Sequence, residues 1–252
     1  MNESTSLTTT SITGDRVTRK VHRLAAELPE LGGIRHVEAN PPSPTAWWVA
    51  VGVAVLFTVA SALGTGGIVG AVVLIPAWAV LGWIILGYAG SEKVVVLDRG
   101  LLIGSFAPLL KPRVVPFDRF EVDSITAVHP GFKLAEMLPG RTLLITGRTA
   151  VWAWNGVAFV AALGPVARRS YVDAAGTFRA EDPERRDRVV WWFGTWRRPD
   201  RLVGALESAL VDLGHPVTGL SQQVRPLVQI SGRPDDAATQ VPRLVAALER
   251  AS

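Results

Sequence analysis

Two long uncharged stretches constrain this 252-residue chain more than any other feature of its sequence. The first runs from Ala46 to Leu63 and the second from Ile68 to Tyr88, with a glycine-rich turn between them. As α-helices they would be about 27 Å and about 31 Å long. A bilayer core is roughly 30 Å thick, so the two stretches predict a transmembrane α-helical hairpin over 46–90.

The residues at the ends and on the faces of these stretches fit the same interpretation. Trp47 and Trp48 lie at the start of the first stretch and Tyr88 at the end of the second, where amphipathic rings favour a membrane interface. Alanine recurs every fourth residue in the first stretch, which allows close helix approach within the hairpin or to another copy of the chain. The alanines concerned are Ala46, Ala50 and Ala54.

Lysine and arginine near the two stretches predict the orientation of the hairpin. The turn contains neither residue, whereas Arg35 precedes the first stretch and Lys93 and Arg99 follow the second. Because positive residues concentrate on the cytoplasmic side, we predict a multi-pass protein of the cell membrane with both termini cytoplasmic.

The segments before the hairpin are more polar. Residues 1–14 are rich in Ser and Thr and predict a disordered tail. In 15–45, apolar residues at helical spacing between Asp15 and Leu31 predict an amphipathic helix, followed by a proline-rich lead-in. Two positions for this helix remain open, on a membrane surface or against the folded domain.

After the hairpin the hydrophobic pattern becomes that of short β-strands. Two apolar runs flank Asp98-Arg99-Gly100, which is typical of a β-hairpin. Further short runs continue to Phe193, and many strands at this spacing predict a sandwich or barrel. Asp200 then opens a helix that ends at Gly214, and its apolar face would close the barrel. This face consists of Leu202, Val203, Leu206, Ala209, Leu210 and Leu213. Residues 215–252 predict a linker and a last helix with Val241, Leu244 and Leu248 on one face.

Three features together resemble the bacterial pleckstrin-homology-like (PH-like) domains that follow paired membrane helices in high-GC Gram-positive bacteria. They are the short Asp-x-Gly turn, the Val114-Val115-Pro116-Phe117-Asp118 stretch, and Arg198-Pro199-Asp200 before an amphipathic helix. The resemblance covers roughly 92–214. It implies a mainly-β, partly open barrel of seven strands closed by a C-terminal α-helix, within a domain spanning 91–214, and it implies no activity.

The uncharged stretch 149–167 allows a second interpretation. It is about 19 residues long, near the minimum for a third membrane span. It also contains Asn155-Gly156, a strong hairpin-turn signal between two buried strands. We predict strands here, because a third span would place the arginines after Ala167 outside the cell.

The residues that carry chemistry form no catalytic or metal-binding pattern. The four histidines share no ligand spacing, cysteine is absent, and Asp118, Glu121 and Asp123 are interpreted as a solvated strand edge. We therefore predict no enzyme activity, cofactor or metal. Adjacent tryptophans Trp191 and Trp192 cannot both point inward from a strand, so we expect one of them to be exposed, at an interface with the membrane or a partner.

These patterns predict a membrane-anchored adaptor or assembly module without catalytic activity. The alternative is an accessory subunit of a membrane transport or secretion complex. The predicted partners are the lipid bilayer and another membrane or cytoplasmic protein, but no nucleic acid, although the net charge is +4. A further copy of the chain is possible through the alanine positions. The predicted contacts with the membrane surface are Lys93, Arg99, Lys111 and Arg113.

Overall fold

The computed structural model describes residues 12–39, 44–63, 67–139, 142–144, 154–162, 188–195 and 199–250. Within them, two five-stranded sheets form the centre of the protein, helices cover their outer faces, and a pair of long apolar helices is inserted between β2 and β3. The predicted tail up to residue 11, most of the proline-rich lead-in and the strand predicted at 170–172 lie outside the described residues.

The N-terminal segment contributes two edge strands and one helix. β1 (Thr13–Gly14) pairs in parallel with β2 (Ile34–Ala39), and α1 (Arg19–Ala26) lies between them in the sequence. Val21 and Leu24 of α1 are buried. They pack with Val37 of β2 in an N-terminal core on the outer face of the first sheet. The amphipathic helix therefore packs against the folded domain, one of the two positions left open by its pattern.

The two uncharged stretches form a helical pair, α2 (Pro44–Leu63) and α3 (Gly67–Ala89). The rings of Phe57 and Trp78 stack between them, with their centroids 5.5 Å apart. In the part of the chain that the structure describes, however, no helix combines the length and the apolar character needed to cross a membrane. This finding overturns the transmembrane hairpin and the multi-pass localisation. The prediction used the absence of charged side chains and the helix length. A span also needs about 20 predominantly apolar residues, and both helices contain many Ala and Gly positions, which contribute little apolar surface.

The first sheet has the strand order β1-β2-β3-β4-β5. Its remaining strands are β3 (Glu92–Leu97), β4 (Gly100–Ser105) and β5 (Arg113–Pro116), which pair in antiparallel fashion. The predicted hairpin around Asp98-Arg99-Gly100 is confirmed as the β3–β4 connection. Both faces of this sheet are buried, because Val94 and Val96 point to the central core and Val95 and Leu97 to the N-terminal core.

The second sheet has the order β10-β6-β8-β9-β7. Its strands are β6 (Phe120–His129), β7 (Thr142–Leu144), β8 (Gly156–Ala162), β9 (Arg188–Gly194) and β10 (Val228–Gln229). β8 lies between β6 and β9 as a buried central strand. Residues 156–162 of the possible third span are thus a strand, as predicted. The residues before 154 and after 162 in that stretch lie outside the described part.

Neither sheet closes into a barrel, so the predicted PH-like barrel is wrong. Each sheet is mixed: β1 lies parallel to β2, β10 parallel to β6, and β7 parallel to β9. Closure requires strand edges that pair with each other. Here short parallel strands occupy three of the four edges and the antiparallel β5 the fourth. Two of the parallel strands come from chain segments outside the predicted strand series.

Helices from the C-terminal part cover the sheets. α5 (Asp200–Asp212) is the predicted closing helix and buries Leu202, Leu206 and Leu210 in the central core between the two sheets. α8 (Pro242–Glu249) is the predicted last helix and packs Leu244 and Leu248 on the outer face of the second sheet, in a C-terminal core. The shorter helices are α4 (Leu134–Met137), α6 (Leu220–Gln223) and α7 (Ala237–Gln240).

Candidate binding surfaces

The α2–α3 pair exposes large apolar side chains. Trp48 is 74% exposed and Trp83 is 73% exposed. The remaining exposed side chains of the pair share the same apolar chemistry and include Val49, Val51, Val55, Leu56, Phe57, Leu63, Ile75, Val80, Leu81 and Ile84. A contiguous apolar surface of this kind marks an interaction site, because monomeric soluble proteins rarely leave one uncovered.

An apolar groove of about 560 Å³ runs between the two helices. Small side chains at Ala50, Ala54 and Gly82 line it, and the large rings of Trp47 and Trp83 lie at its sides. Thr58 contributes no unsatisfied hydroxyl to the groove, since its Oγ1 donates a hydrogen bond to the Ala54 carbonyl at 2.8 Å. Two of the predicted small-residue positions are therefore in the groove, and the side chain of Ala46 is outside the described set.

The four basic residues predicted to contact a membrane do not form one surface. Lys93 is buried in β3, where burial lowers the pKa of its ammonium group and the nearby Asp15 carboxylate opposes that shift. Arg99 is exposed in the β3–β4 turn, at the opposite end of a six-residue strand that is about 20 Å long. Lys111 is exposed and Arg113 half-buried. Contact of Arg99, Lys111 and Arg113 with an anionic surface stays a prediction, and Lys93 is too buried to share it.

The structure places a different lysine beside Lys111. Lys20 of α1 donates hydrogen bonds from Nζ to the carbonyl oxygens of Ala107 and Leu110, the latter at 2.6 Å. The pKa of Lys20 lies below its ordinary value because of burial and of the positive charges of Arg23 and Lys111. α1 thereby holds the β4–β5 loop, a contact between residues almost ninety positions apart that no local sequence signal indicates.

Trp191 and Trp192 are both completely buried, so the expectation of one exposed indole is wrong. Trp191 points into the central core and donates a hydrogen bond from Nε1 to the Ala161 carbonyl at 3.3 Å. Trp192 points into the C-terminal core. The alternation of a strand was applied correctly, but β9 has a hydrophobic core on each side of its sheet.

The acidic cluster has a structural explanation. Glu121 forms ion pairs with Arg188 and with Arg250, the latter at 3.0 Å, and thereby connects β6 to β9 and to the end of α8. Asp118 and Asp123 are exposed. Among the described residues no group of three or more His, Cys, Asp and Glu side chains has an arrangement that could hold a metal ion.

A cavity of about 450 Å³ lies between the β1–β2 edge of the first sheet and α5. We call it the β2–α5 cavity. The side chains and backbone that line it include Thr13, Arg35, His36, Arg201, Gly204 and Ser208. His36 is 3% exposed and lies between two partners. Its Nδ1 is 2.9 Å from Thr13 Oγ1, and its Nε2 is 3.2 Å from Glu38 Oε2.

The carboxylate of Glu38 fixes the orientation of the His36 ring. Glu38 is 1% exposed, and its other oxygen, Oε1, has no hydrogen-bond partner among the residues that the structure describes. A hydroxyl, an imidazole and a carboxylate in this order form the series found in nucleophilic hydrolases. Here the Thr13 hydroxyl also lies 3.2 Å from the Arg35 carbonyl, to which it can donate its hydrogen.

Arg35 brings a fixed positive charge to the same cavity. Its Nε donates to Asp98 Oδ1 at 2.5 Å, and its Nη1 donates to Asp212 at the end of α5. Burial lowers the pKa of Arg35, but the hydrogen bonds to Asp212 and Asp98 outweigh it, so the pKa lies above its ordinary value. A guanidinium group has five N–H donors, and these two bonds engage only two of them.

Sequence patterns did not indicate the β2–α5 cavity. Its residues come from three segments, 13–14, 35–36 and 201–208, which only the packing of α5 on the first sheet brings together. The alternation of polar His36 and Glu38 with apolar Val37 and Ala39, over only four residues, is the one local signal that could have revealed β2.

Comparison with known proteins identifies no relative of this chain. No protein-family description matches the chain, and neither a curated protein nor a solved structure shows significant similarity to it.

Proposed function

We propose that this protein is a non-catalytic assembly module in which the α2–α3 pair of one copy packs against the same pair of a second copy. The observation that carries the proposal is the exposed apolar surface of α2 and α3, which contain no charged side chain. Burying such a surface contributes about 25 cal/mol per Å² of apolar area, enough to drive association.

The shape of this surface favours a second copy as the partner. Its groove is lined by small residues, Ala50, Ala54 and Gly82, while bulky rings such as Trp48 and Trp83 stand exposed on the same two helices. One surface therefore carries both the depression and the side chains of a size to fill it. A two-fold interface requires this self-complementarity, and two-fold dimers are the commonest oligomers.

The two sheets would then act as a scaffold carried by each copy. Large buried aromatics give the sheets their own cores, independent of the helical pair. A different protein with apolar helices, as in a transport or secretion complex, is the alternative occupant of the groove.

Cysteine cross-linking tests this proposal directly, because the natural chain contains no cysteine. We expect Val51→Cys, at the exposed side of the groove, to form a disulfide-linked dimer of the full chain under mild oxidation. Thr239→Cys on α7 is the matched control, since it is equally a single exposed position but lies far from the helical pair in the fold.

Light scattering after size-exclusion chromatography in a mild detergent gives the second measurement. A protein mass of two chains, reduced to one by Ala54→Trp, is the expected result, because a large ring would fill the groove from within. A mass of one chain for the wild type, with no Val51→Cys dimer, would reject the second copy and leave detergent or lipid as the cover. A larger complex containing another protein would favour the accessory-subunit alternative.

A further inference from the structure

We propose that the β2–α5 cavity binds a small ligand that carries a phosphate or carboxylate group. The proposal concerns a different part of the molecule from the helical pair and does not depend on self-association. It rests on three observations: donors without acceptors, room along a helix, and a hydroxyl held in place at the mouth.

The first observation is the set of hydrogen-bond donors around the cavity. Arg201 lies on the first turn of α5, is exposed, and makes no ion pair with any acidic side chain of the described residues. Arg35 lines the opposite wall and retains the donors of Nη2 after its bonds to Asp98 and Asp212. The Arg201 guanidinium group suits an oxyanion, because its planar N–H pairs match the geometry of carboxylate and phosphate oxygens. Arg35 adds only the donors of Nη2, since the carboxylates of Asp98 and Asp212 already balance its charge.

The second observation is a glycine in the middle of α5. Gly204 lines the cavity, and a methyl group added there would meet nothing closer than Ser221 Cβ at 3.9 Å. Glycine inside a helix costs about 1 kcal/mol relative to alanine. No neighbouring residue requires the missing side chain, so the glycine keeps space open for a group that is not part of the chain.

The third observation is the position of Thr13. Its hydroxyl is held by His36, which is in turn fixed by the buried carboxylate of Glu38. Gly14 allows this close approach, because it has a φ of +90° and an added Cβ would lie 2.7 Å from the His36 ring. The Thr13 and Ser208 hydroxyls thereby lie on the wall of the same space as the two arginines.

These groups define the ligand class. A cavity of about 450 Å³ is within the range for small-molecule sites, roughly 300–1,000 Å³, and is larger than a single anionic group requires. The ligand therefore has one oxyanion group, held chiefly by Arg201 with Arg35 Nη2 and the Ser208 hydroxyl as further donors, and a small uncharged body over Gly204. Phosphate monoesters and short carboxylic acids share this chemistry.

Isothermal titration calorimetry of the protein distinguishes a phosphate ligand from a carboxylate ligand. The probes are inorganic phosphate, glycerol 3-phosphate and succinate, each titrated at constant ionic strength. Saturable binding of one ligand per chain is the expected result. Binding of the two phosphate probes alone would assign a phosphate ligand, and binding of succinate alone would assign a carboxylate.

Arg201→Gln should raise the dissociation constant about tenfold or more, because it removes a charge-assisted hydrogen bond to the ligand. The matched control is Arg243→Gln, which also removes an exposed arginine from the first turn of a helix and should leave binding unchanged. Equal weakening by both variants would show non-specific attraction to a chain of net charge +4 and would overturn the proposal. So would the absence of saturable heat with every probe.

Gly204→Leu provides an independent second variant, because its side chain would occupy the cavity without removing a charge. Loss of binding is expected for this variant, with a melting temperature no lower than that of the wild type. Wild-type affinity in a folded Gly204→Leu protein would contradict the placement of the ligand. The oligomer mass is a separate readout, so failure of this site and failure of the proposed assembly remain distinguishable.

Discussion

Two tryptophans of the two-sheet body and two of the helical pair differ completely in their exposure. Trp191 and Trp192 are adjacent in β9 and both are fully buried, whereas Trp48 and Trp83 stand about three-quarters exposed. All four lie in apolar stretches of sequence. The difference shows that local hydrophobicity predicts a need for burial, and that the arrangement of neighbouring layers determines whether this chain meets the need itself.

The second sheet buries apolar side chains on both of its faces. The central core lies on one side, with α5 and the first sheet, and the C-terminal core lies on the other, with α8. Within the described part of the chain, α2 and α3 pack chiefly against each other, and their outer sides are exposed.

The largest expected effect on the free energy of unfolding distinguishes the buried tryptophans from the exposed ones. Trp192→Ala should lower the free energy of unfolding by about 3–5 kcal/mol, because it leaves a cavity in the C-terminal core. Trp83→Ala should change it by less than about 1 kcal/mol, since its ring is largely exposed. Urea unfolding followed by circular dichroism in the β region measures both. Similar losses in the two variants would break the comparison.

A glycine beside Trp192 should show the next largest effect. A Cβ at Gly131 would lie 1.8 Å from Trp192 Nε1, which no packed structure tolerates. Gly131→Ala should therefore destabilise the protein by about 1–3 kcal/mol through overpacking. Combining it with Trp192→Phe tests the cause by a double-mutant cycle. If the smaller ring relieves none of the loss, the contact with the indole is not the reason.

The side chain of Glu207 connects α5 to the start of α6. Its carboxylate accepts backbone hydrogen bonds from Gly219 and from Ser221, the latter at 2.8 Å. Burial raises the pKa of Glu207, but the hydrogen bonds from Ser221, Gly219 and Leu220 outweigh it, so the pKa lies below its ordinary value.

A carboxyl group with a lowered pKa in the folded state stabilises the fold above its unfolded pKa of about 4.3. This contribution is lost as the pH falls through the folded pKa. Glu207→Gln should cost about 1 kcal/mol at neutral pH and flatten the fall of stability in acid. Urea midpoints measured from pH 7 down to pH 3 check this expectation. A variant as acid-sensitive as the wild type would assign the effect to other carboxyl groups.

The smallest expected effect is an increase in the free energy of unfolding, whereas the other substitutions lower it. Gly204→Ala should stabilise the protein by about 0.5–1 kcal/mol, because alanine favours the helix and the site has room for a methyl group. The melting temperature measures this change. A loss of stability would show that the space beside α5 is filled in solution, and would sharpen the contrast between the well-packed β9 and the open side of α5.

The sequence predicted the local elements whose patterns are regular. The two uncharged stretches are helices within two residues of the predicted bounds, and the β3–β4 hairpin, α5 and α8 lie where turn residues and helical spacing placed them. Leu202, Leu206 and Leu210 face the core as their spacing indicated, whereas Leu213 lies beyond the end of α5 and is exposed. Spacing and caps act within a few residues along the chain, so one sequence is sufficient to read them.

Only the tertiary structure decided which faces are covered. It placed His36 and Glu38 in a strand, buried both indoles of β9, and brought Thr13 and Arg35 to Arg201 across the β2–α5 cavity. It also filled the sheet edges with short parallel strands instead of closing a barrel. These outcomes depend on contacts between segments many residues apart, because the free energy of burial rewards total apolar area and does not specify which element provides it.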